Sequence, residues 1–567
     1  MKQSAARTLI AGCVLVLVGS LLAHWVQTSG GTRIEDIRFT GDNGQTLSAL
    51  LYIPANASAE SPAPGVLAVH GYINSREVQS GFAIELARRG YVVLALDQSG
   101  HGYSDAPAFS NGFGGPAALR YLRSLDIVDP DNIGLEGHSM GGWTVLAAAA
   151  AMPDAYRSMV LQGSSTGSGR ALPGTPDWPR NVSVVFAQYD EFAPLMWEVP
   201  RGSDVAASEK LQAMFGVEDT IQGGRVYGSV PAGTARVLHN PPVTHPGNHL
   251  SHASIGHTVD WFALTLSGAQ TAGVTGQIWF FKEIGTLLAF VGFVVLLCGA
   301  IKQFIQFPAF AGLSGAPINM AWTQRNGKWW LLAALSMFIP VAVFYPVFSM
   351  AASMLPASSW FPQSITNQII IWAVLNGLLA TALGLVIKAE AVSFKSVSWF
   401  AAARFALAVV GVGYLALLLA DYFFLIDFRF WFVGLKLLSL DQFQNMLIYL
   451  PPLLVFFLLL GRALHGGLSV SSDTVRQQYL SNAMVLAGGF AIFLLAQYIS
   501  LFTRGLLLTP AEPLNTIVMI QFVPLLVIIS TISTCAWRHT GSYVPGALIN
   551  TMFVGWYIVA GQATQAV

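Results

Sequence analysis

This chain is short of charge. Of its 567 residues only 10% are Asp, Glu, Lys or Arg, while 54% are hydrophobic. A soluble globular chain carries about a quarter charged residues, so a wholly soluble protein is excluded. The 29 basic and 29 acidic residues cancel to a formal net charge of zero, and no basic cluster stands out. That excludes a nucleic-acid-binding footprint. Cysteine is scarce as well: Cys13, Cys298 and Cys535 all fall in apolar stretches expected to lie in lipid. The polar part of the chain therefore has no disulfide, and its cysteine content does not report a compartment. No internal repeat is evident. Charges inside the long apolar runs are rare; Asp421, near an outer helix end, is weak ground for a transport pathway.

The hydrophobic excess is unevenly spread. Residues 30–275 have the composition of an ordinary globular domain, and residues 276–567 read as a bundle of about eight spanning helices. The expected spans are 278–301, 329–351, 367–387, 402–425, 444–461, 480–502, 516–536 and 543–562. The fifth should be interrupted by Pro451 and Pro452. Isolated polar residues in these runs (Asn376, Asn445, Gln497, Gln521, Asn550) suit interhelical hydrogen bonds. At the other end, residues 8–26 carry no charge, long enough to cross a bilayer at about 20 residues per span, behind a flank with Lys2 and Arg7. A cleaved signal peptide is the rival reading, but a small-residue cleavage pattern is poor because Leu21 sits two before Ala23. An uncleaved signal anchor over 1–29 is favoured. Loop charges agree with it: Lys302, Arg325, Lys328, Lys388, Lys395, Arg462, Arg476 and Arg538 fall on one side, and Arg429, Lys436 and Arg504 on the other, with Lys282 near the outer end of the first span. By the positive-inside rule the globular domain is then extracytoplasmic, on an inner (plasma) membrane.

Within 30–275, strand-like and helix-like runs alternate. Residues 33–39 and 46–53 flank a Gly/Asn/Asp turn and read as a hairpin. Runs at 65–69, 92–96, 132–136, 158–162 and 182–187 read as buried strands, and 77–89, 116–125 and 140–152 as helices. Such alternation predicts a parallel sheet with helices on both faces. One junction is distinctive. Gly137-His138-Ser139-Met140-Gly141-Gly142 joins a strand to an alanine-rich helix. Gly-x-Ser-x-Gly in that setting is a nucleophile elbow: a sharp turn projects the serine hydroxyl, and glycines let strand and helix approach.

Together with His70-Gly71-Tyr72, the run from Asp97 to Ser104, Asp190 after a later strand and a histidine beyond it, the elbow makes residues 33–266 resemble the α/β-hydrolase superfamily. The resemblance covers somewhat under half the chain. It implies an α/β-hydrolase sheet with flanking helices, here joined to an all-α transmembrane bundle. It also implies a Ser, Asp, His order of catalytic residues along the chain.

Ser139 is the candidate nucleophile, and it needs a base held by a carboxylate. Asp190 ends a strand where the superfamily keeps its acid; Glu191 is the neighbour most easily mistaken for it. Five histidines compete as base. His239 lies inside the expected last strand and His257 on the expected last helix, which starts after Ser251 as N-cap. His245 sits between them and leads, with His249 and then His252 as alternatives. A metal site at these three is disfavoured, because Pro246 and Gly247 prevent the one-helix arrangement that such spacing uses. The resemblance places oxyanion donors at the backbone N–H groups of Tyr72 and Met140. His70, His101 and His138 are expected to be structural. No cofactor is expected.

The expectation is a membrane-anchored serine hydrolase of esterase or lipase type. It would act on carboxylic esters or related acyl compounds on the extracytoplasmic side through an acyl-enzyme. Peptidase and acyltransferase chemistry use the same residues. Expected partners are a small-molecule or lipid-like acyl substrate and the lipid bilayer, with no nucleic acid. The alternative is a transport or sensory membrane protein whose hydrolase-like domain only binds a ligand.

Overall fold

The computed structural model describes residues 2–269, 274–387 and 392–566; Lys388, one of the expected inner-loop cations, lies outside them. The chain forms two compact units that interleave along its length. One comprises the residues up to Ser20 with Thr286–Ala496 and Leu514–Ala560; the other comprises Leu21–Gly285 with Gln497–Pro513 and the residues from Gly561 on.

The second unit is built on an eight-stranded sheet. Its strands are β1 (Arg33–Thr40), β2 (Thr46–Ile53), β3 (Ala63–Val69), β4 (Val92–Asp97), β5 (Val128–His138), β6 (Ser158–Gln162), β7 (Val182–Val185) and β8 (Arg236–His239). The spatial order is β1-β2-β4-β3-β5-β6-β7-β8. β2 runs antiparallel to β1 and β4, and every pair from β4 to β8 is parallel. Parallel strands need covered faces. They are covered, and the strand residues sort by parity. Leu67, Leu94, Leu135, Leu161 and Val184 pack on one face; Val66, Val93, Val160 and Val185 pack on the other. Each of these is fully buried, so truncation to Ala at Leu67 or Leu135 would cost about 2–5 kcal/mol.

Helices bridge the strands: α1 (Lys2–Gln27) precedes the sheet, followed by α2 (Ser80–Ala87), α3 (Gly115–Arg123), α4 (Met140–Ala151), α5 (Ala193–Trp197), α6 (Glu209–Phe215) and α7 (His252–Thr265). Ser251 caps α7 by accepting a hydrogen bond from the Ser254 N–H at 3.1 Å, satisfying one of the free donors of its first turn.

The first unit is helical: α8 (Trp279–Phe304), α9 (Gly327–Ala342), α10 (Phe344–Met354), α11 (Ser364–Ile387), α12 (Trp399–Phe424), α13 (Leu440–Gly467), α14 (Val475–Arg504), α15 (Pro513–Thr540) and α16 (Val544–Gly561). Several of these run across the unit boundaries in sequence. Among the described residues, eight helices, α1 included, are long and apolar enough to cross a membrane, and up to nine if the bent pair α9–α10 is one span. The chain is therefore a multi-pass membrane protein.

Two expected spans differ in detail. Residues 329–351 form two helices bent by 48° rather than one straight span. Pro346 has no N–H for the Ala342 carbonyl, which breaks the ladder at that bend. Conversely, Pro451 and Pro452 do not interrupt α13, which continues for 28 residues. Neighbouring helices in a bundle tolerate such prolines. α1 and α8 approach closely within the helical unit: a Cβ on Gly12 would lie 2.5 Å from the Leu296 nitrogen, and one on Gly292 2.7 Å from the Val16 nitrogen. Two of the isolated polar residues do bond between helices: Gln521 accepts from Tyr557 at 2.7 Å and Asn550 donates to the Ile529 carbonyl at 3.2 Å. Asn376 instead donates to Trp372 of its own helix.

Candidate active site

The elbow has the strain its sequence demands. Ser139 has φ 54° and ψ −120°, a region a non-glycine residue occupies only when its surroundings enforce it. A Cβ on Gly137 would sit 2.2 Å from the Gly141 carbonyl oxygen, and one on Gly141 2.1 Å from that of Val69. Both positions therefore require glycine. The Ser139 N–H donates to the Gln162 carbonyl at 2.8 Å, locking the turn to β6. Met140 opens α4, so its N–H has no partner one turn back in the helix.

Asp190 and His245 meet because β7 and β8 are neighbours that end on the same edge of the sheet. Pairing continues irregularly beyond them, through Phe186 N–H to the His239 carbonyl and Tyr189 N–H to the Val243 carbonyl. This carries Asp190 and His245 side by side. His245 Nδ1–H faces both carboxylate oxygens of Asp190, at 3.0 and 2.9 Å. Both groups are buried. Burial opposes charge on His245, but the Asp190 carboxylate, by charge and hydrogen bond, and then Glu191 hold its pKa above the ordinary value.

Three further contacts orient this histidine. The His245 N–H donates to Glu191 Oε2 at 2.7 Å. His138, beside Ser139, donates from Nε2 to the His245 carbonyl at 2.9 Å, tying the elbow to the histidine loop. Asn248 donates to the same carbonyl at 3.2 Å. A Cβ on Gly163 would lie 3.1 Å from His245 Nδ1, so the residue after Gln162 abuts the imidazole while Gln162 itself holds Ser139. Ser139 Oγ is not hydrogen-bonded to His245; catalytic bonds of this kind commonly tighten only with substrate in place.

The rival histidines go elsewhere. His249 packs with its ring 4.1 Å from that of His138 and edge-on to Phe82. His252 begins α7 against Trp279. His239 and His257 stack on each other at 3.8 Å. Among the described residues, no group of three or more His, Cys, Asp or Glu could hold a metal ion.

Tyr72 lies beside the elbow, since a Cβ on the preceding Gly71 would meet Ser139 Cβ at 3.1 Å. The loop is held by His70, whose Nδ1–H donates to the Gly71 carbonyl at 2.6 Å while Nε2 accepts from the Gln98 N–H at 3.2 Å. Gln98 in turn accepts from Thr144 of α4 at 2.6 Å. Burial with His70 alongside depresses the His101 pKa to about 3, and burial with His249 and His245 nearby lowers that of His138. Both are neutral at physiological pH. Glu136, three residues before Ser139, is wholly buried, and burial raises its carboxyl pKa well above the usual range.

Two contacts have no counterpart in any local pattern. Tyr498 donates from its hydroxyl to Glu191 Oε1 at 3.0 Å. Gln565 Nε2 donates to the Tyr72 hydroxyl at 2.8 Å, while Thr564 exchanges backbone bonds with Gly100 and Ala108, both at 2.8 Å. All of these belong to the sheet-containing unit. Tyr498 sits in an apolar helical run and Gln565 after the last one, so nothing near them in the chain marks either.

Residues 64–196 match the family model for the alpha/beta hydrolase fold, and the sheet order and elbow make this unit an α/β-hydrolase fold. An uncharacterized protein of Mycobacterium tuberculosis is 26% identical over 186 residues, covering 32% of this chain and 46% of the relative. The chain thus spans under half the length of the mycobacterial relative. An Escherichia coli esterase, YjfP, is 27% identical over 190 residues, covering 29% of this chain and 71% of the esterase. Among solved structures, a predicted CIB-like hydrolase from Thermoplasma acidophilum is 16% identical, with a TM-score of 0.30 over 41% of this chain and 98% of that one.

Proposed function

We propose that the protein is a membrane-anchored serine hydrolase that cleaves carboxylic esters or related acyl compounds. The observation that carries this reading is the buried Asp190–His245 pair held beside the strained Ser139 elbow. In the proposed reaction His245 Nε2 takes the proton from Ser139 Oγ as the oxygen attacks the acyl carbon. The N–H groups of Met140 and Tyr72 receive the developing oxyanion. The imidazolium, stabilised by Asp190, then gives its proton to the leaving alkoxide, and an acyl-enzyme remains. Water activated by the same histidine releases the acid and restores the serine. The esterase relative supports an ester as the substrate class. An extracytoplasmic position on the plasma membrane is proposed from the loop cations, which favour one side, and from the basic flank of the first helix. A lipid-like acyl substrate suits a catalytic domain on a membrane-spanning chain. The test is labelling of the purified full chain with a fluorophosphonate, with the modified residue located by peptide mapping. Modification at Ser139, lost in Ser139→Ala, is the expected result; a chain that hydrolyses esters without ever labelling there would sink the assignment.

A further inference from the structure

Glu191 is buried beside Asp190, yet it makes no contact of the kind a catalytic acid makes. Its two oxygens point to different parts of the chain. Oε2 accepts the backbone N–H of His245 at 2.7 Å, and Oε1 accepts the Tyr498 hydroxyl at 3.0 Å. The contact spans 307 residues of sequence. A second contact reinforces it: the Phe502 ring meets Tyr189 edge-on at 5.1 Å. Tyr189 pairs in turn with Thr244, the residue before His245. The adjacent residues Thr244 and His245 are thus both reached, through Tyr189 and Glu191, from one short segment, residues 497–504, far outside the region that matches the hydrolase family.

We propose that Tyr498, acting through Glu191, is a positioning residue for the His245 base, so that this hydrolase site depends on a segment outside the hydrolase sequence itself. The proposal rests on reading Ser139 as the nucleophile. Its physical basis is that a buried carboxylate with two donors is fixed in place, and the N–H it accepts belongs to the base. Removing one donor frees the carboxylate to rotate and loosens the loop. Near-attack geometry tolerates little looseness.

The arrangement also has an electrostatic consequence. Burial and the adjacent Asp190 push the Glu191 carboxyl up to about 7, and its negative charge favours the protonated form of His245. The groups that face His245 are Asp190 and Glu191 from the turn after β7 and His138 from the elbow, with His249 packed in turn on His138. Tyr498 faces Glu191 from the distant segment. Without the Tyr498 hydroxyl, Glu191 keeps its proton to higher pH and less negative charge meets the imidazole. The pKa of His245 then falls.

The experiment uses the full chain in detergent, with p-nitrophenyl acetate as the substrate and a fluorophosphonate as the probe of Ser139. Tyr498→Phe should lower kcat roughly tenfold, the scale of one hydrogen bond to a charged group, with KM within about twofold. The acid limb of its pH–rate profile should move to lower pH. Glu191→Gln should move the limb the same way, and the double variant should fall no further than Glu191→Gln alone, because both act through one carboxylate. A purely structural role for Tyr498 would leave the position of the limb unchanged. A Tyr498→Phe chain that labels at Ser139 and retains the original kcat and pH profile overturns the proposal while leaving the serine reading intact. Failure of the unsubstituted chain to label at Ser139 and to hydrolyse the ester removes the serine reading, and this proposal with it.

Discussion

At the scale of single residues, His245 is distinguished from its rivals by one contact, the bond from Nδ1 to Asp190. Ser139→Ala is expected to lower ester hydrolysis about 10³-fold or more, because only oxyanion and binding effects remain once the nucleophile is gone. His245→Ala should match it. His249→Ala should be milder, since that ring packs on His138 and Phe82; rates in the opposite order would transfer the base to His249. The pH dependence follows from the charge beside the imidazole. As the proposed base, His245 must be neutral to act, and Asp190 and Glu191 hold its pKa above 6.5 against the effect of burial. The ratio kcat/KM should therefore rise with pH through a midpoint above 6.5. In Asp190→Asn burial is no longer offset to the same extent, and the residual activity should show a lower midpoint. For stability the sign runs the other way. A histidine with a raised folded-state pKa contributes fully below the unfolded value, and that contribution fades as pH climbs through the folded one.

At the scale of elements, the elbow shows what a sequence pattern can carry. Gly137 and Gly141 announce a strand–turn–helix junction because each is demanded by backbone geometry at that spot, and Ser139 between them takes the strain of the turn. Gly137→Ala should consequently destabilise the unit by about 1–3 kcal/mol or more, as overpacking against rigid backbone does, and a thermal unfolding midpoint unchanged from the parent would contradict the close approach. The hairpin, the strand runs and the cap at Ser251 were legible for the same reason: periodicity and turn chemistry are local. The bend between α9 and α10 and the continuity of α13 through Pro451 and Pro452 were not. Proline removes a donor wherever it occurs, but whether the helix breaks depends on neighbours from other parts of the chain. Glu191 and Tyr498 were illegible on the same ground. A glutamate after a strand and a tyrosine in an apolar helix become informative only when 307 residues of intervening chain bring them together.

At the scale of the whole molecule, the fold divides the chain less simply than the composition does. The apolar pattern sets boundaries near residues 29 and 275, and residues 497–513 and those from Gly561 on group with the sheet. A cysteine introduced at Ser61, which is exposed in the loop before β3, should react with an impermeant maleimide once any outer barrier is opened. One at Ser472, exposed before α14, should react only after the membrane itself is broken. Reaction at Ser472 in intact cells, with none at Ser61, would place the hydrolase unit on the cytoplasmic side.

The bond between Gln565 and Tyr72 has a consequence in time rather than in space. Its partners are 493 residues apart, and a ribosome makes them in that order at about 5–20 residues per second. For tens of seconds, then, a nascent chain holds Ser139, Asp190 and His245 while the segment that braces the Tyr72 loop does not yet exist. The helices from α8 to α16 are synthesised within that interval. A newborn copy therefore cannot assemble its finished site ahead of its membrane helices.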